Sequence, residues 1–261
     1  AVPAYNPPNK TFRPVWDANT LRDALAKAKN GDTIVVLCDI RLADRHFFQI
    51  NNKKITIRGL EGQRPCILWD IDIDITRERA SSYSIFITKK SNILIEDLRI
   101  EATFAARCFQ IEDKSTLTLG KGSEISGFGN VVKAYNGSTL VVDGAYIHHN
   151  TFSVFINNGY IKHPMSKMRL ISGEIAYNRS NWCTIDACDF IMDGGSIHHN
   201  SVPDQMSILF SYGKMEINGG EIRDNFGCYI IDFTASSAKM TGGTVSGNTG
   251  IYSGGINIRD T

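Results

Sequence analysis

The chain has 261 residues, a formal net charge of +1 and a hydrophobic content of 42%. This near-neutral charge comes without a basic stripe, which argues against nucleic acid as a partner. No run of 18 apolar residues occurs, so the sequence predicts no segment inserted in a membrane. The apolar content is sufficient for a core. We expect a single domain over residues 1–261, because the repeats described below are continuous.

The N-terminal region is predicted to contain an irregular segment and then a helix. Residues 1–18 are rich in proline, and we expect them to be irregular. Residues 19–30 should form a helix, since apolar residues recur at helical spacing between Leu21 and Ala28. Asn19 or Thr20 is the expected N-cap. We expect this helix to cap the hydrophobic core of the coils that follow over residues 33–261.

An alternation of aspartate and isoleucine follows the first predicted coil. Asp70, Asp72 and Asp74 should share one face, because strand side chains alternate. Carboxylate oxygens are ligands that Ca²⁺ prefers, so this array is a candidate site for Ca²⁺, and no other cofactor is considered. The alternation spreads the carboxylates by about 6–7 Å, too far for all three to share one ion. The alternative is a solvated strand face balanced by Arg77 and Arg79.

The second half of the chain repeats one frame of residues. An apolar strand, a Gly-rich corner, an apolar residue, two further residues and an Asn occur at 140–150, 190–200 and 215–225. Looser copies occur at 117–130, 168–178 and 238–248. The closing residues are Asn130, Asn150, Asn178, Asn200, Asn225 and Asn248. A frame that recurs every 23 residues or so indicates a solenoid (roughly the 20–50 residue range of such repeats).

The content of each period indicates the class of solenoid. No 3.6-residue apolar stripe lies between the Asn positions, which excludes helical repeats. Leucine-rich repeats are excluded because Gly-Gly stands where their leucines would be. Each period instead holds three short apolar or alternating runs, which is typical of one coil of a parallel β-helix. The Asn side chains are expected to bond from coil to coil at a tight corner, in the left-handed conformation that Asn tolerates.

These repeats, over residues 108–261, resemble the right-handed parallel β-helix superfamily with the pectin-lyase-like fold. The helix and strand predicted over residues 19–37 are similar to the N-terminal cap of such solenoids. The Gly-Gly-x-Ile-x-x-Asn frame is similar to repeats in large bacterial surface proteins. The resemblance implies an all-β solenoid of eight to nine coils with three short strands each. The last residues resemble the middle of a coil, so further domains of the same protein are expected beyond them.

The strand that follows each Asn is the candidate functional face. Ala134, Ile156, Ile185, Phe210 and Ile231 are expected to point inward. Their neighbours would then project outward, and these carry carboxylates, amides, hydroxyls and aromatic rings. This mixture suits a polymeric sugar. The predicted ligand-binding residues are Glu112, Lys133, Tyr135, Phe155, Asn157, Thr184, Ser211 and Tyr212. The alternative is that an exposed strand face is polar without any ligand.

Two carboxylates on this face are candidates for catalysis. Asp186 and Asp232 should lie two coils apart, or about 10 Å. This is at or just beyond the separation of about 6.5–9.5 Å found in inverting glycosidases. However, the catalytic motifs of polygalacturonase-like enzymes are absent. Pectate-lyase-like enzymes, with a Ca²⁺ cluster and an arginine base, are matched only loosely by Asp70–Asp74 and nearby arginines.

Histidines and cysteines give no further site. The pairs His148-His149 and His198-His199 should lie two coils apart, so no shared metal cage is predicted and the histidines are interpreted as polar turn residues. The six cysteines lack the spacing of a zinc site or of a disulfide framework. Three of them, Cys108, Cys183 and Cys228, are expected to be small core residues.

Three functions are therefore considered. The first, which we favour, is a β-helix module of a bacterial cell-surface or secreted protein that mediates adhesion or binds a polysaccharide or cell-surface glycan. The second is a polysaccharide lyase or glycoside hydrolase. The third is a structural spacer without a ligand. The predicted location is extracellular or on the cell surface.

Overall fold

The computed structural model describes residues 11–42, 47–70, 83–104, 106–158, 165–234 and 237–259. Within these ranges the chain forms a parallel β-solenoid of about nine turns with a single short helix, as the sequence predicted. Every strand pairing is parallel, and each strand pairs with its equivalents in the preceding and following coils. The strands form three ladders, and successive coils lie about 4.8 Å apart.

Ladders 1 and 2 form one sheet, because two long strands belong to both. The strands of ladder 1 are β1 (Phe12–Val15), β2 (Thr33–Val36), β5 (Lys54–Gly59), β8 (Asn92–Glu96), β11 (Thr116–Leu119), β14 (Thr139–His148), β16 (Lys167–Ala176), β18 (Asp189–Met192), β21 (Lys214–Ile217) and β24 (Ser237–Met240). Ladder 2 shares the second halves of β14 and β16 and adds β3 (Ile40–Leu42), β6 (Cys66–Trp69), β9 (Arg99–Ala102), β12 (Glu124–Ser126), β19 (Ser196–His198), β22 (Glu221–Arg223) and β25 (Thr244–Ser246).

Ladder 3 is a separate nine-stranded sheet and carries the strands that follow the Asn corner. Its members are β4 (Phe48–Asn51), β7 (Ser84–Lys89), β10 (Arg107–Glu112), β13 (Asn130–Ala134), β15 (Ser153–Asn157), β17 (Ile185–Ala187), β20 (Ser201–Ser211), β23 (Phe226–Phe233) and β26 (Thr249–Ile258).

Apolar columns fill the space between the ladders. Phe48, Phe86 and Phe109 lie one above another, with ring centroids 5.5 and 5.2 Å apart. All six cysteines are free, and Cys108, Cys183 and Cys228 are buried in or beside ladder 3, as predicted. Burial raises the pKa of the Cys183 thiol to about 12, so this group is held in its protonated form.

The asparagine ladder forms, but it begins one coil later than expected. The side-chain amide of each Asn donates to the Oδ1 of the next at 2.9–3.0 Å, in the order Asn150, Asn178, Asn200, Asn225 and Asn248. Asn130 is not a member, because the register places Phe128 in that position and puts Asn130 inside β13. The backbone N–H of Phe128 donates to Asn150 Oδ1 at 3.0 Å and closes the ladder.

The corner requires a left-handed residue, but it is the residue before the Asn rather than the Asn itself. His149, Tyr177, His199 and Asp224 have φ angles of 51–55°. The Gly-Gly pair of the repeat is required for a different reason, which is the space available at that corner. A Cβ on Gly194 would lie 2.7 Å from the Ile171 carbonyl oxygen of the preceding coil, and Gly195 has a φ of 75°. Close stacking of coils at this corner therefore excludes larger residues.

The N-terminal cap differs in detail from the prediction. The helix α1 spans Ala18–Lys27, and Asp17 is its N-cap, with its carboxylate accepting from the N–H of Thr20 at 2.7 Å. Thr20 Oγ1 accepts in return from the N–H of Asp17, which completes a capping box. Leu21 and Leu25 are buried against the first coil. The expectation that residues 1–18 are irregular was wrong for β1, which pairs with β2.

Candidate functional site

The outward face of ladder 3 carries one continuous column of side chains, which we call the strip. The register places these residues side by side from coil to coil: Gln49, Ile87, Gln110, Lys133, Ile156, Asp186, Phe210, Asp232 and Asn257. The neighbouring column, which includes Phe109, Val132, Phe155, Ile185 and Leu209, is fully buried. The strip is therefore the outer surface of the ladder, and both predicted catalytic carboxylates belong to it.

Two residues expected inside lie on the strip, and residues expected outside, Phe155 and Leu209 among them, lie in the core. Ile156 and Phe210 align with Asp186. Phe155 aligns with Val132 and Ile185 and is fully buried. The cause is the variable corner length, since the inward column comes five residues after Asn150 but six after Asn225. A change of one residue in that length moves every side chain to the other face.

Three of the predicted ligand-binding residues are structural instead. Asn157 aligns with Ala134, and its Oδ1 accepts from the N–H of Ser166 at 2.8 Å while its amide donates to the Tyr212 hydroxyl. Thr184 is fully buried. The Ser211 hydroxyl is also buried and donates to the Cys188 carbonyl at 2.8 Å. Asn157 and Ser211 fix the corner after ladder 3, and none of the three side chains is open to a ligand.

The first half of the strip is charged and hydrogen-bonded. Lys89 Nζ lies 2.8 Å from Glu112 Oε2, and the amide of Gln110 donates to the same carboxylate. Lys133 Nζ lies 5.7 Å from the centroid of the Tyr135 ring, within the range of a cation–π contact. Burial lowers the pKa of Lys133, and the nearby Arg107 lowers it further. Glu112 thus lies on the coil next to that of Lys133 and Tyr135, and ligand binding by these residues stays a prediction.

Asp186 is the most unusual group on the strip. The residue is 9% exposed, and its Oδ1 is buried and has no hydrogen-bond partner among the described residues. Its Oδ2 receives one long hydrogen bond, 3.5 Å from the indole N–H of Trp182. Burial raises the pKa of Asp186 to about 6, and the bond from Trp182 only partly opposes this rise. A carboxyl group in this state can hold a proton near neutral pH.

Asp232 has the opposite environment. Arg259 Nε donates to its Oδ1 at 2.9 Å, and the guanidinium also bonds Oδ2. The Asn257 amide and the Ser207 hydroxyl donate to the same carboxylate at 2.9 and 3.2 Å. The carboxylate is therefore fully engaged with protein donors. Phe210 stands between Asp186 and Asp232 on the strip, and two strand spacings separate the two carboxylates by about 9.6 Å.

Aromatic rings surround this second half of the strip. Trp182 is 46% exposed, and the rings of Phe210 and Tyr212 lie 5.6 Å apart. Burial raises the pKa of Tyr212 to about 12, so its hydroxyl remains a donor. Sequence reasoning missed Trp182 and assigned Phe210 to the core. The only signal for Trp182 was its position four residues before Asp186, since aromatic residues at exposed corners are otherwise unmarked.

Of the three aspartates predicted as a metal site, only Asp70 lies within the described residues. Asp72 and Asp74 lie outside the described residues, so their placement stays a prediction. The Asp70 carboxylate accepts from the Thr103 hydroxyl at 3.0 Å and pairs with Arg41. Among the described residues, no three His, Cys, Asp or Glu side chains group closely enough to hold a metal ion by themselves.

A second concave surface lies elsewhere. A groove of about 730 Å³ follows the outer face of ladder 1 and is lined by residues that include Lys54, Asn92, Thr116 and Thr118. It contains none of the predicted site residues. Its walls mix polar and aliphatic residues, and they lack the aromatic rings that the strip presents.

Comparisons with known proteins assign the chain to no family. No protein-family model matches the chain, no curated protein matches it and no solved structure matches it. Among the residues that the structure describes, no helix has the length and apolar character needed to cross a membrane. The fold is therefore established by the structure, and the function has to be argued from the strip.

Proposed function

We propose that this chain is a glycan-binding module of a bacterial cell-surface or secreted protein, with a fold related to the pectin-lyase-like β-helices. The main support for this proposal is the second half of the strip, where the rings of Trp182, Phe210 and Tyr212 lie around Asp186. The carboxyl group of Asp186 has a hydrogen-bond partner for only one of its two oxygens. Flat apolar rings beside a few fixed polar groups are the usual composition of a site for a small or extended ligand.

The free-energy cost of burying the Asp186 carboxyl group supports a functional role for this residue. A buried carboxyl group with one unpartnered oxygen destabilises the folded state, because its charged form loses hydration without gaining donors. An alanine or asparagine would avoid that penalty. Groups with strongly perturbed pKa values that lie beside a surface cleft concentrate at functional sites. A sugar hydroxyl donating to the accessible side of the Asp186 carboxyl group would add a second hydrogen bond to the one from Trp182.

The first half of the strip supports an extended ligand over a compact one. Glu112, Lys133 and Tyr135 are two to three coils from Asp186, and the intervening strip residue Ile156 is half-buried. A polymer lying along the strip would meet charged and aromatic groups at both ends. The proposal therefore favours a glycan of several sugar units. Ca²⁺ is kept as a prediction for the region of Asp70.

The proposal is tested on a glycan array with the wild-type chain and two single variants. Tyr135→Ala removes an aromatic ring that lies beside the strip, and Asn92→Ala alters the groove on ladder 1. We expect wild-type binding to a set of polymeric glycans, with signals that fall in Tyr135→Ala and persist in Asn92→Ala. Loss in Asn92→Ala alone would move the site to the groove. Absence of any glycan signal from the folded wild type would reject the proposal.

Glycoside hydrolysis is the second candidate, and the raised pKa of Asp186 is the observation that favours it. A protonated Asp186 is suited to donate to a leaving oxygen, and the ionised partner would have to be Asp232. Their separation of about 9.6 Å is at the upper end for an inverting pair. Arg259 and Phe210 oppose this role, because Asp232 is covered and engaged. New reducing ends that disappear in Asp186→Asn would establish hydrolysis.

A further inference from the structure

Two pairs of adjacent histidines have the same local geometry. His148 Nδ1 lies 2.7 Å from His149 Nδ1, and His198 Nδ1 lies 2.9 Å from His199 Nδ1. The two rings are nearly perpendicular in each pair, at 89° and 86°. The first histidine ends a strand of ladder 2, and the second is the left-handed residue before the ladder Asn. The backbone of the corner therefore folds the second ring back onto the first.

In both pairs, the Nε2 atom of the first histidine faces a carboxylate. His148 Nε2 lies 3.0 Å from Glu124 Oε1, and His198 Nε2 lies 3.5 Å from Glu174 Oε2. A carboxylate at this position holds the proton on Nε2 and leaves a lone pair on Nδ1. The same carboxylate–histidine arrangement fixes the tautomer of metal-binding histidines in proteins.

Other contacts hold the rings in place. Tyr146 stacks on His148 with centroids 4.0 Å apart. Tyr177 stacks between His149 and His199, at 5.7 and 5.1 Å. His148 and His198 are largely buried, whereas His149 and His199 are exposed. Each pair thus combines a fixed inner ring with an outer ring that solvent can reach.

We propose that each histidine pair chelates one divalent transition-metal ion through its two Nδ1 atoms, with water completing the coordination. The distance between the two Nδ1 atoms of each pair favours Cu²⁺ or Ni²⁺ over Zn²⁺. Two metal–nitrogen bonds of about 2.0 Å that meet at a right angle hold their nitrogens about 2.8 Å apart. The tetrahedral angle of zinc would open this distance to about 3.3 Å. The observed 2.7 and 2.9 Å match the square-planar or octahedral value.

The two sites are separate. The pairs are two coils apart, which places them about 9.6 Å from each other with the Tyr177 ring between them. One ion cannot bridge that distance, so the expected stoichiometry is two ions per chain. These sites share no residue with the strip and do not depend on the proposed function.

The test is calorimetric titration of the folded chain with CuCl₂, alongside electron paramagnetic resonance of the bound copper. Wild type should bind two Cu²⁺, while His149→Asn and His199→Asn should each bind one. Asparagine is chosen because it tolerates a positive φ, and circular dichroism checks that each variant remains folded. His46→Asn and His163→Asn are the controls and should still bind two.

The carboxylates supply an independent readout. Glu124→Gln keeps both imidazoles but removes the charge behind His148, and it should weaken that one site by roughly 10- to 100-fold. Two nitrogen ligands per copper are expected in the resonance spectrum. The proposal is overturned if wild type binds no Cu²⁺, if both asparagine variants still bind two, or if Zn²⁺ binds more tightly than Cu²⁺ and Ni²⁺.

Discussion

At the scale of single residues, Asp186 makes a prediction about pH. Its folded pKa of about 6 exceeds the unfolded value of about 3.9, so the folded state binds more protons between these values. The contribution of Asp186 to stability therefore falls as the pH rises from about 4 to about 6. A difference of about 2 pKa units corresponds to about 3 kcal/mol.

Asp186→Asn should remove this dependence. Relative to wild type, the free energy of unfolding of the variant should rise by up to about 3 kcal/mol between pH 4 and pH 7. Urea denaturation at several pH values measures it. Asp193→Asn is the control of opposite sign, because Asn218 and Arg169 lower the pKa of Asp193. That variant should lose relative stability as the pH rises through about 3.9, the unfolded value, and should change little above about pH 5. A flat difference curve for Asp186→Asn would contradict the account.

Asn178 gives the second prediction at this scale. Its amide donates to the carbonyls of Ile147 and Ala176 as well as to Asn200, and its Oδ1 accepts from Asn150. Asn178→Ala leaves several of these buried groups unpaired, and each costs about 1–3 kcal/mol. We expect a loss of at least 3 kcal/mol in unfolding free energy. Asn181→Ala, at an exposed position, should change stability by less than about 0.5 kcal/mol.

The sequence predicted most of this ladder but not its first member. Five of the six Asn residues are in place, because the Gly-rich corner and the following isoleucine fix their position. Asn130 misled the alignment, since Phe128 occupies the ladder position and only the strand register shows this. The environment of Asp186 was also beyond prediction, because Trp182 and Phe210 approach it through the fold.

At the scale of elements, the capping helix makes a third prediction. The backbone N–H of Thr20 and its hydroxyl lower the pKa of Asp17, which shows that its carboxylate is stabilised at the helix N-terminus. Asp17→Ala removes half of the capping box and should destabilise the cap by about 0.5–2 kcal/mol. Hydrogen exchange of α1 measures this, and Asp23→Ala in the same helix is the control. Equal exchange in the two variants would contradict the assignment of Asp17.

Strand faces were harder to predict than strand positions. Apolar runs after each Asn located ladder 3 correctly, but the runs alone do not show which alternate residues point inward. Corners of different length change the face that a given position presents, so Phe155 and Phe210 were assigned to the wrong faces. The helix was located within a few residues for the opposite reason, since its apolar periodicity does not depend on any neighbouring coil.

At the scale of the whole molecule, repetition made the fold predictable and the function hard to predict. The strands of each coil pair only with those of neighbouring coils, so a local frame repeated along the chain is sufficient to specify the solenoid. Function depends on side chains that converge across coils, such as Phe210 beside Asp186 and Lys89 with Glu112. Solenoids of one architecture serve unrelated functions, so the strip has to be tested directly.

The most direct test compares two tryptophans of similar exposure by calorimetric titration with the best glycan from the array. Trp182 is 46% exposed beside the strip, and Trp16 is 42% exposed next to the capping helix. Trp182→Ala should weaken binding by at least tenfold, or about 1.4 kcal/mol, while Trp16→Ala should bind as wild type does. Equal affinities in the two variants would contradict the claim that the outer face of ladder 3 is the ligand surface.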